Sequence, residues 1–129
     1  MFAQAFDPKK REILIDVVLT GPLGASRLRF LLDTGTPVSI IDSAAVDALG
    51  YGARMGTEVS RLAGVDGVQA GYRLKVDRLE ALGFSVEQYE FSCHDFEAWF
   101  AIDGLIGMDL LEGRVLTIDG VRGVVTVGG

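Results

Sequence analysis

Asp33 is the residue in this chain whose surroundings most suggest chemistry, because it follows the apolar residues of RFLLDTGTPVSIID, residues 29–42. A carboxylate among apolar neighbours costs solvation free energy unless hydrogen-bond donors or a charged partner hold it. Thr34 and Gly35 can supply such donors, since glycine permits a sharp turn of backbone N–H groups and a threonine hydroxyl can tie down the loop. Taken alone, the triplet is also typical of a turn that ends a strand.

The elements on either side of Asp33 are predicted to be short. EILIDVVLT (12–20) and RLRFLL (27–32) flank GPLGAS, which predicts a hairpin. PVSII (37–41) predicts a short buried strand, and DSAAVDALG (42–50) predicts a helix of one or two turns with an Asp or Ser cap. The loop of Asp33 is therefore expected to connect two strands.

The second half of the chain also predicts strands. Residues 57–79 alternate around a glycine-rich centre, which predicts a hairpin with a mobile tip, and FSVEQYEFSC (84–93) alternates as a strand does. GLIGMDLL (104–111) predicts an apolar β-like triplet followed by a short helix, and two strands are predicted around Asp119-Gly120. We therefore predict a mainly β fold, a closed or nearly closed antiparallel β-barrel with one or two short helices.

The length of 129 residues predicts one compact domain, which we place at residues 11–129 after an N-terminal extension of residues 1–10. The chain has 12 basic and 18 acidic residues, for a net charge of −6. This charge would repel a phosphate backbone or an anionic membrane surface. Nucleic acid is therefore not an expected partner.

Cys93 is the only cysteine, which excludes an internal disulfide and a multi-thiolate metal site and fits a reducing cytoplasm. The N-terminus lacks the apolar region and the small-residue cleavage site of a secretory signal. No apolar run approaches the roughly 18 residues of a spanning helix. We therefore expect a cytoplasmic chain with no membrane segment, although it could be one domain of a longer protein.

FLLDTGTPVSIID resembles the active-site segment of aspartic proteases, in which Asp-Thr-Gly stands between two apolar runs. GLIGMDLL is similar to the apolar-apolar-Gly turn and helix that pack beneath the active-site loop in that family. The glycine-rich hairpin lies between the two, where the family places its flap. Together the three elements cover most of residues 11–128. A single motif in a chain of one-domain length matches the retropepsin-like branch, in which two identical subunits each supply one aspartate.

The resemblance implies an aspartic endopeptidase that hydrolyses peptide bonds in a peptide or protein through an Asp dyad formed across a homodimer, without a cofactor or metal ion. Asp33 would be the catalytic carboxylate. Thr34 would support the loop, Gly35 would line the substrate backbone and Thr36 would contact the carboxylate. The other residues implied to form the site are Gly64, Val65, Asp66 and Gly67 in the flap and Leu105, Ile106 and Gly107 as support for the loop.

Three positions depart from the family pattern. Retroviral members usually have an acidic residue two places after Asp-Thr-Gly and an Arg directly after the apolar-apolar-Gly turn, and the two pair near the dimer interface. Pro37 and Met108 occupy these positions, so both members of the pair are missing together. This suggests a cellular branch with a differently stabilised dimer. Asp66 adds a charge near the tip of the flap.

Other interpretations remain open on the sequence. A catalytically inactive domain of the same fold could serve as a dimerisation or peptide-binding module, because fold alone does not fix function. LLDTGT is also similar to the phosphorylated segment of P-type pumps, but that class needs a parallel sheet, a downstream Lys and acidic metal ligands. The chain is too short for this class.

The remaining polar and aromatic candidates have structural interpretations. Cys93 and His94 are adjacent, so on a strand their side chains face opposite sides and cannot form a nucleophile–base pair. Asp103 and Asp109 flank a predicted buried turn, where they are expected to cap backbone groups rather than bind metal. FEAWF (96–100) could line a peptide groove, but packing in the core is the interpretation we favour.

Overall fold

The structure is a computed structural model that describes residues 1–64 and 67–128. The strands are β1 (Phe2–Ala5), β2 (Leu14–Gly21), β3 (Gly24–Leu32), β4 (Ile40–Asp42), β5 (Glu58–Gly64), β6 (Gly67–Ala81), β7 (Phe84–His94), β8 (Gly104–Ile106), β9 (Val115–Asp119) and β10 (Val124–Gly128). The α-helices are α1 (Ser43–Ala48) and α2 (Met108–Leu111), and Ala53–Met55 form one 3₁₀ turn. Among the described residues, no helix has the length and apolar character needed to cross a membrane.

Six strands close into a barrel in the order β2–β3–β8–β4–β7–β6, and β6 pairs again with β2. The closing pairs join Val18 to Glu80 and Thr20 to Arg78. Two short parallel pairings, β3 with β8 and β4 with β7, are inserted into the otherwise antiparallel ring. The predicted mainly β barrel with short helices is thus confirmed, and the parallel pairings are an addition to it.

The two short helices also lie where the sequence predicts them. The side chain of Asp42 accepts a hydrogen bond from the backbone N–H of Ala44, so Asp42 is the N-cap of α1. The predicted strand at 37–41 is shifted, because β4 begins only at Ile40. Pro37 has no N–H to donate, and its carbonyl accepts a hydrogen bond from the N–H of Asp109 instead.

The hairpin of β5 and β6 extends beyond the barrel and corresponds to the predicted flap. Among the described residues, β5 pairs only with β6, from Glu58 opposite Arg73 to Gly64 opposite Gly67. Val65 and Asp66, which we assigned to the flap, lie outside the described residues. β6 continues from this hairpin into the barrel without a break, so the flap and the barrel share one strand.

A second sheet of three strands, in the order β1–β10–β9, carries both ends of the chain. Within the predicted N-terminal extension, Phe2–Ala5 pair with Val124–Val127 of β10. The division into residues 1–10 and 11–129 stays a prediction. The hairpin predicted around Asp119-Gly120 is confirmed, and the Asp119 carboxylate accepts hydrogen bonds from the backbone N–H groups of Val121 and Arg122.

Alternation along the strands sends one face of each strand into a single core. In β2, for example, Ile15, Val17 and Leu19 are fully buried and alternate with less buried residues. The largest fully buried side chains of the core are Phe30, Phe91, Ile15, Leu19, Ile41, Leu74, Leu79 and Ile106. The ends of β3 and β8 are thereby fixed by packing on one side of the Asp33 loop.

The aromatic cluster of residues 96–100 does not pack in the core, so the interpretation that we favoured for it is wrong. The Trp99 side chain is 79% exposed, and Phe100 stacks between Phe96 and Trp99. The segment follows β7 in a loop that precedes β8, and no barrel strand lies at these positions to turn the rings inward. The aromatic side chains of this segment therefore stack on one another at the protein surface.

Two titratable groups, buried Cys93 and half-buried Tyr72, have pKa values that are changed by their burial in the barrel. Burial is the main cause that raises the pKa of the Cys93 thiol from 9.0 to about 12. It likewise raises the pKa of the Tyr72 phenol from 10.0 to about 12. Both groups therefore keep their protons in the folded chain at a pH where the unfolded chain loses them.

We predict from these shifts that the protein loses stability in alkali. Their contribution is fully present below pH 9.0 and is lost as the pH rises towards about 12, because only the unfolded chain releases the protons in that window. The free energy of unfolding, measured by urea denaturation at a series of pH values, should fall above about pH 9. Cys93→Ala should make the fall shallower. An unfolding free energy that stays constant up to about pH 11 would contradict the prediction.

Candidate active site

Asp33 stands directly after β3, where its backbone and its side chain are both held. The N–H of Asp33 donates to the carbonyl of Ile106 at 2.9 Å, which continues the pairing of β3 with β8. The N–H of Gly35 donates to Asp33 Oδ1, also at 2.9 Å. Asp33 is half-buried, and Thr34 and Gly35 are exposed. The carboxylate is therefore fixed through one oxygen and reachable from solvent.

Gly35 and Thr36 shape the turn that follows. A Cβ atom on Gly35 would lie 3.2 Å from Asp33 Oδ1, a tight approach that glycine avoids. The N–H of Thr36 donates to the backbone carbonyl of Asp33 at 3.3 Å, and the Thr36 hydroxyl donates to the carbonyl of Val38 at 3.1 Å. The Thr36 hydroxyl thus closes the loop, and the expected contact of Thr36 with the carboxylate stays a prediction.

The segment between β8 and α2 supports this loop from below. The N–H groups of Met108 and Asp109 donate to the carbonyls of Thr36 and Pro37, at 2.8 and 3.2 Å. Gly107 lies so close to the loop that a Cβ atom would come within 2.8 Å of the Thr36 carbonyl and 2.7 Å of the Val38 carbonyl. Only glycine fits at this position without displacing the loop.

Side chains tie the same two segments together. Buried Ser39 donates its hydroxyl hydrogen to Asp109 Oδ1 at 2.7 Å and accepts a hydrogen bond from the N–H of Gly107 at 2.9 Å. Asp109 Oδ1 also accepts from the N–H of Leu110, and Tyr89 donates its hydroxyl hydrogen to Asp109 Oδ2. A polar cluster thus sits beneath the loop that carries Asp33.

The base of the flap packs against β7 through a second polar cluster. The hydroxyls of Ser60 and Ser92 share a hydrogen bond, and Ser92 Oγ lies 3.4 Å from His94 Nε2. Gly71 leaves space for the His94 ring of this cluster, because a Cβ atom at Gly71 would lie 2.6 Å from that ring. Gly71 is therefore a packing residue of β6 and does not belong to the hairpin tip.

The structure brings together some of the predicted site residues. The two ends of the loop contact its predicted support, because Asp33 bonds to the carbonyl of fully buried Ile106 and the carbonyl of Thr36 lies against Gly107. Leu105 pairs with Leu31 of β3 one step further from Asp33. Gly64 and Gly67 form the last described pair of the flap hairpin.

The sequence predicted that Asp109 caps a backbone group, as it does at the N–H of Leu110, but its bonds to Ser39 and Tyr89 were missed. Ser39 interrupts an apolar run and Asp109 stands at the start of a helix, so both carried a weak signal, whereas nothing near Tyr89 marked it. Asp103 does not take part in the polar cluster of Asp109. Oδ2 of Asp103 instead accepts a hydrogen bond from the N–H of Arg29 at 2.9 Å. Within residues 1–64 and 67–128, no group of three potential metal ligands occurs.

His94 and Cys93 are both buried near the end of β7 and form no site with Asp33. Burial lowers the pKa of His94 from 6.5. The His94 ring is engaged by Ser92 at the base of the flap. The expectation that these two residues do not form a nucleophile–base pair stays a prediction.

The arrangement offers one carboxylate that is exposed on one side and held on the other. Such a group can accept a proton from a water molecule, but it cannot also protonate a second group in the same step. Aspartic chemistry requires a second carboxyl group beside it. The exposed side of Asp33 is the side from which such a group could approach.

Comparisons with known proteins agree with this geometry. A family model described as aspartyl protease matches residues 16–110. A search of curated proteins found no match to the chain.

Three solved structures share the fold at low sequence identity. A retropepsin-like aspartic protease from Rickettsia conorii has a TM-score of 0.69 and 14% identity, over 97% of this chain and 95% of the other. The EIAV protease in complex with an inhibitor has a TM-score of 0.60 and 20% identity, over 84% and 92%. The retroviral protease-like domain of Ddi1 from Leishmania major has a TM-score of 0.61 and 18% identity, over 92% and 90%. At these identities the likeness is one of fold.

Proposed function

Because the chain belongs to the aspartyl protease family and has a retropepsin-like fold, we propose that it is an aspartic endopeptidase whose active site forms between two identical subunits. The observation that carries the proposal is Asp33, a carboxylate exposed on one side and held by the N–H of Gly35 on the other. The chain contains one Asp-Thr-Gly triplet. A second chain supplies the second carboxylate.

The two Asp33 carboxyl groups share one proton and hold a water molecule between them. The oxygen of the water molecule attacks the carbonyl carbon of the scissile peptide bond while the ionised carboxylate takes a proton from that water. The protonated carboxyl group donates its proton to the carbonyl oxygen of the substrate. As the resulting tetrahedral intermediate collapses and the C–N bond breaks, the carboxyl group that took the proton from water passes it to the amide nitrogen. The other carboxylate takes up a hydroxyl proton of the intermediate, which restores the singly protonated pair. No covalent bond to the enzyme forms at any stage.

The substrate in this proposal is an extended segment of a peptide or protein. The β5–β6 hairpin projects from the barrel as a two-stranded ribbon, and an extended chain can lie beside such a ribbon and pair with its backbone groups. Gly35 is exposed and has no side chain, which allows a close approach of substrate backbone beside Asp33. Both features favour recognition of the main chain over recognition of a folded surface.

The direct test is cleavage of an unfolded protein by the purified full chain. Denatured casein and a mixed peptide library should both be cut at about pH 5 to about pH 7, where a dyad with one proton is populated. Sedimentation velocity at several protein concentrations should detect a dimer in the same range in which cleavage appears. Binding of peptides by a dimer without any cleavage would instead support the inactive peptide-binding module.

Met108 provides a test of the surface on which the two subunits meet. Its side chain is 47% exposed, and its N–H donates to Thr36 in the Asp33 loop, so in the proposed dimer Met108 lies beside the two-fold axis. Met108→Glu should weaken dimerisation about tenfold or more, because it brings like charges together. Activity should fall at low protein concentration and recover at high concentration.

Two controls make the Met108 experiment specific. Met108→Leu keeps an apolar side chain and should preserve the dimer. Val121→Glu introduces the same charge at a 90% exposed position in the β9–β10 turn, and it should leave dimerisation unchanged. If Met108→Glu dimerises as well as Val121→Glu, the interface lies elsewhere.

A further inference from the structure

We propose that Tyr89 is a positioning residue for catalysis, which acts through Asp109 and Ser39 to hold the loop of Asp33. The inference rests on the proposed function, because the loop matters for catalysis only if Asp33 is the catalytic carboxylate. Among the described residues, no hydrogen bond joins Tyr89 to Asp33. The effect of Tyr89 passes through hydrogen bonds that join the barrel wall to the active-site loop.

The hydrogen bonds form a continuous path. Tyr89 donates to Asp109 Oδ2, and Ser39 donates to Asp109 Oδ1. Ser39 then accepts a hydrogen bond from the N–H of Gly107. Gly107 directly follows Ile106, and the carbonyl of Ile106 accepts a hydrogen bond from the N–H of Asp33. Each step links a different element: β7, the start of α2, the end of the loop, and β8. A displacement of Asp109 is therefore transmitted to both ends of the loop.

Tyr89 is suited to anchor this path because its ring is itself fixed. It belongs to β7, one of the six barrel strands, and pairs with Val76 of β6. The ring packs edge-on against Phe91, with centroids 4.7 Å apart and an interplanar angle of 85°. Phe91 is fully buried. The hydroxyl thus projects from the barrel wall at a defined position.

The phenol also keeps its donor hydrogen over a wide pH range. Burial, together with the neighbouring Asp109 carboxylate, raises the pKa of Tyr89 well above its ordinary value of 10.0. The hydroxyl is therefore protonated throughout the range in which aspartic chemistry operates. A protonated phenol can continue to donate to a carboxylate under these conditions.

Asp109 depends on these donors because it is half-buried without a cationic partner. Four ion pairs are found in the described part of the chain, and none of them includes Asp109. Its two oxygens are instead satisfied by the hydroxyls of Ser39 and Tyr89 and by the N–H of Leu110. Loss of one donor leaves a half-buried carboxylate undersatisfied, so Asp109 will shift towards solvent.

The test compares Tyr89→Phe with Tyr51→Phe in the 129-residue chain. Both changes remove a half-buried hydroxyl, and that of Tyr51 donates to the Thr20 carbonyl and accepts from the N–H of Asp77, remote from Asp109 and Ser39. Both variants should lose about 4 °C in melting temperature. Only Tyr89→Phe should lower kcat on a casein-derived peptide, about tenfold with little change in KM, because the substrate contacts remain while the carboxylate is misplaced.

Two replacements of Asp109 test whether its hydrogen bonds are needed for catalysis. Asp109→Asn keeps an oxygen for Ser39 and presents an amide to the Tyr89 oxygen, so it should retain kcat within about threefold. Asp109→Ala removes all of these bonds and should lose at least as much kcat as Tyr89→Phe. A combined Tyr89→Phe and Asp109→Ala variant should lose no more than Asp109→Ala alone, since both act on one path.

Amide hydrogen exchange tests the same path without any substrate. The N–H of Gly107 donates to Ser39, so Tyr89→Phe should speed its exchange about tenfold relative to wild type, and Tyr51→Phe should not. If no peptide is cut yet the Gly107 amide responds as expected, the proposed function fails and the positioning path stands. If kcat and Gly107 exchange in Tyr89→Phe both match those of Tyr51→Phe, the inference is wrong.

Discussion

Asp33→Asn is expected to lower peptide cleavage by about a thousandfold or more while it leaves the fold and the dimer intact. Asparagine keeps the shape of aspartate and can still accept the hydrogen bond that the N–H of Gly35 donates to Oδ1. It cannot take a proton from water. The measurement is the initial rate of cleavage of a casein-derived peptide, with circular dichroism and sedimentation velocity to verify the fold and the dimer.

Asp103→Asn is the matched control. Asp103 is also half-buried and also accepts a backbone N–H at 2.9 Å, from Arg29. This variant should cleave at close to the wild-type rate. Equal loss in the two variants would mean that the effect of Asp33→Asn arises from folding.

Mixing the Asp33→Asn variant with wild type tests whether the two carboxylates come from different subunits. An excess of the variant should draw wild-type chains into inactive heterodimers. The cleavage activity of wild type should therefore fall further with this excess than with an equal excess of an inert protein. Subunit exchange can be followed by fluorescence transfer between labelled chains. If exchange occurs and wild-type activity stays proportional to the wild-type concentration, each chain works alone and the shared dyad must be abandoned.

Gly107→Ala is expected to have the second-largest effect. The added methyl group would meet the backbone carbonyls of Thr36 and Val38 at 2.8 and 2.7 Å, and backbone atoms cannot move aside as a flexible side chain can. The free energy of unfolding should fall by about 3 kcal/mol, as in overpacked cores, and cleavage should fall with it because the loop of Asp33 is displaced. Urea denaturation and the cleavage assay measure the two effects.

Gly120→Ala is the comparison for this change. Gly120 lies in the turn between β9 and β10, where a Cβ atom would meet nothing within 4 Å. Its unfolding free energy and its cleavage rate should remain close to those of wild type. If Gly107→Ala behaves in the same way, the loop has more freedom than its hydrogen bonds indicate.

Features with a local cause could be predicted from the sequence. The helix at Ser43–Ala48 has its cap in Asp42, and the hairpin at Asp119-Gly120 has its turn residues in place. The position of Asp33 at a strand end follows from the apolar run before it and the glycine two residues after it. In each case neighbouring residues determine the conformation.

Features that depend on distant residues could not be predicted. The parallel pairing of Phe30 with Gly104 joins segments that carry no mutual signal in the sequence. The same holds for Tyr89, whose partner Asp109 is supplied by another element. The aromatic residues 96–100 were misjudged for a related reason, because apolar character does not reveal whether a barrel wall lies behind a segment.

The order of strands in the barrel has a consequence for when the protein can act. The ring closes only when Val18 meets Glu80 and Phe30 meets Gly104, so its contacts span much of the chain, and folding on the order of milliseconds to seconds is typical of such topologies. The carbonyl that holds the N–H of Asp33 belongs to Ile106. During synthesis, Asp33 leaves the ribosome long before Ile106, and the loop stays incomplete in the interval. A nascent chain therefore carries Asp33 in an incomplete loop until Ile106 has emerged, and in the proposed enzyme the topology itself delays assembly of the catalytic site.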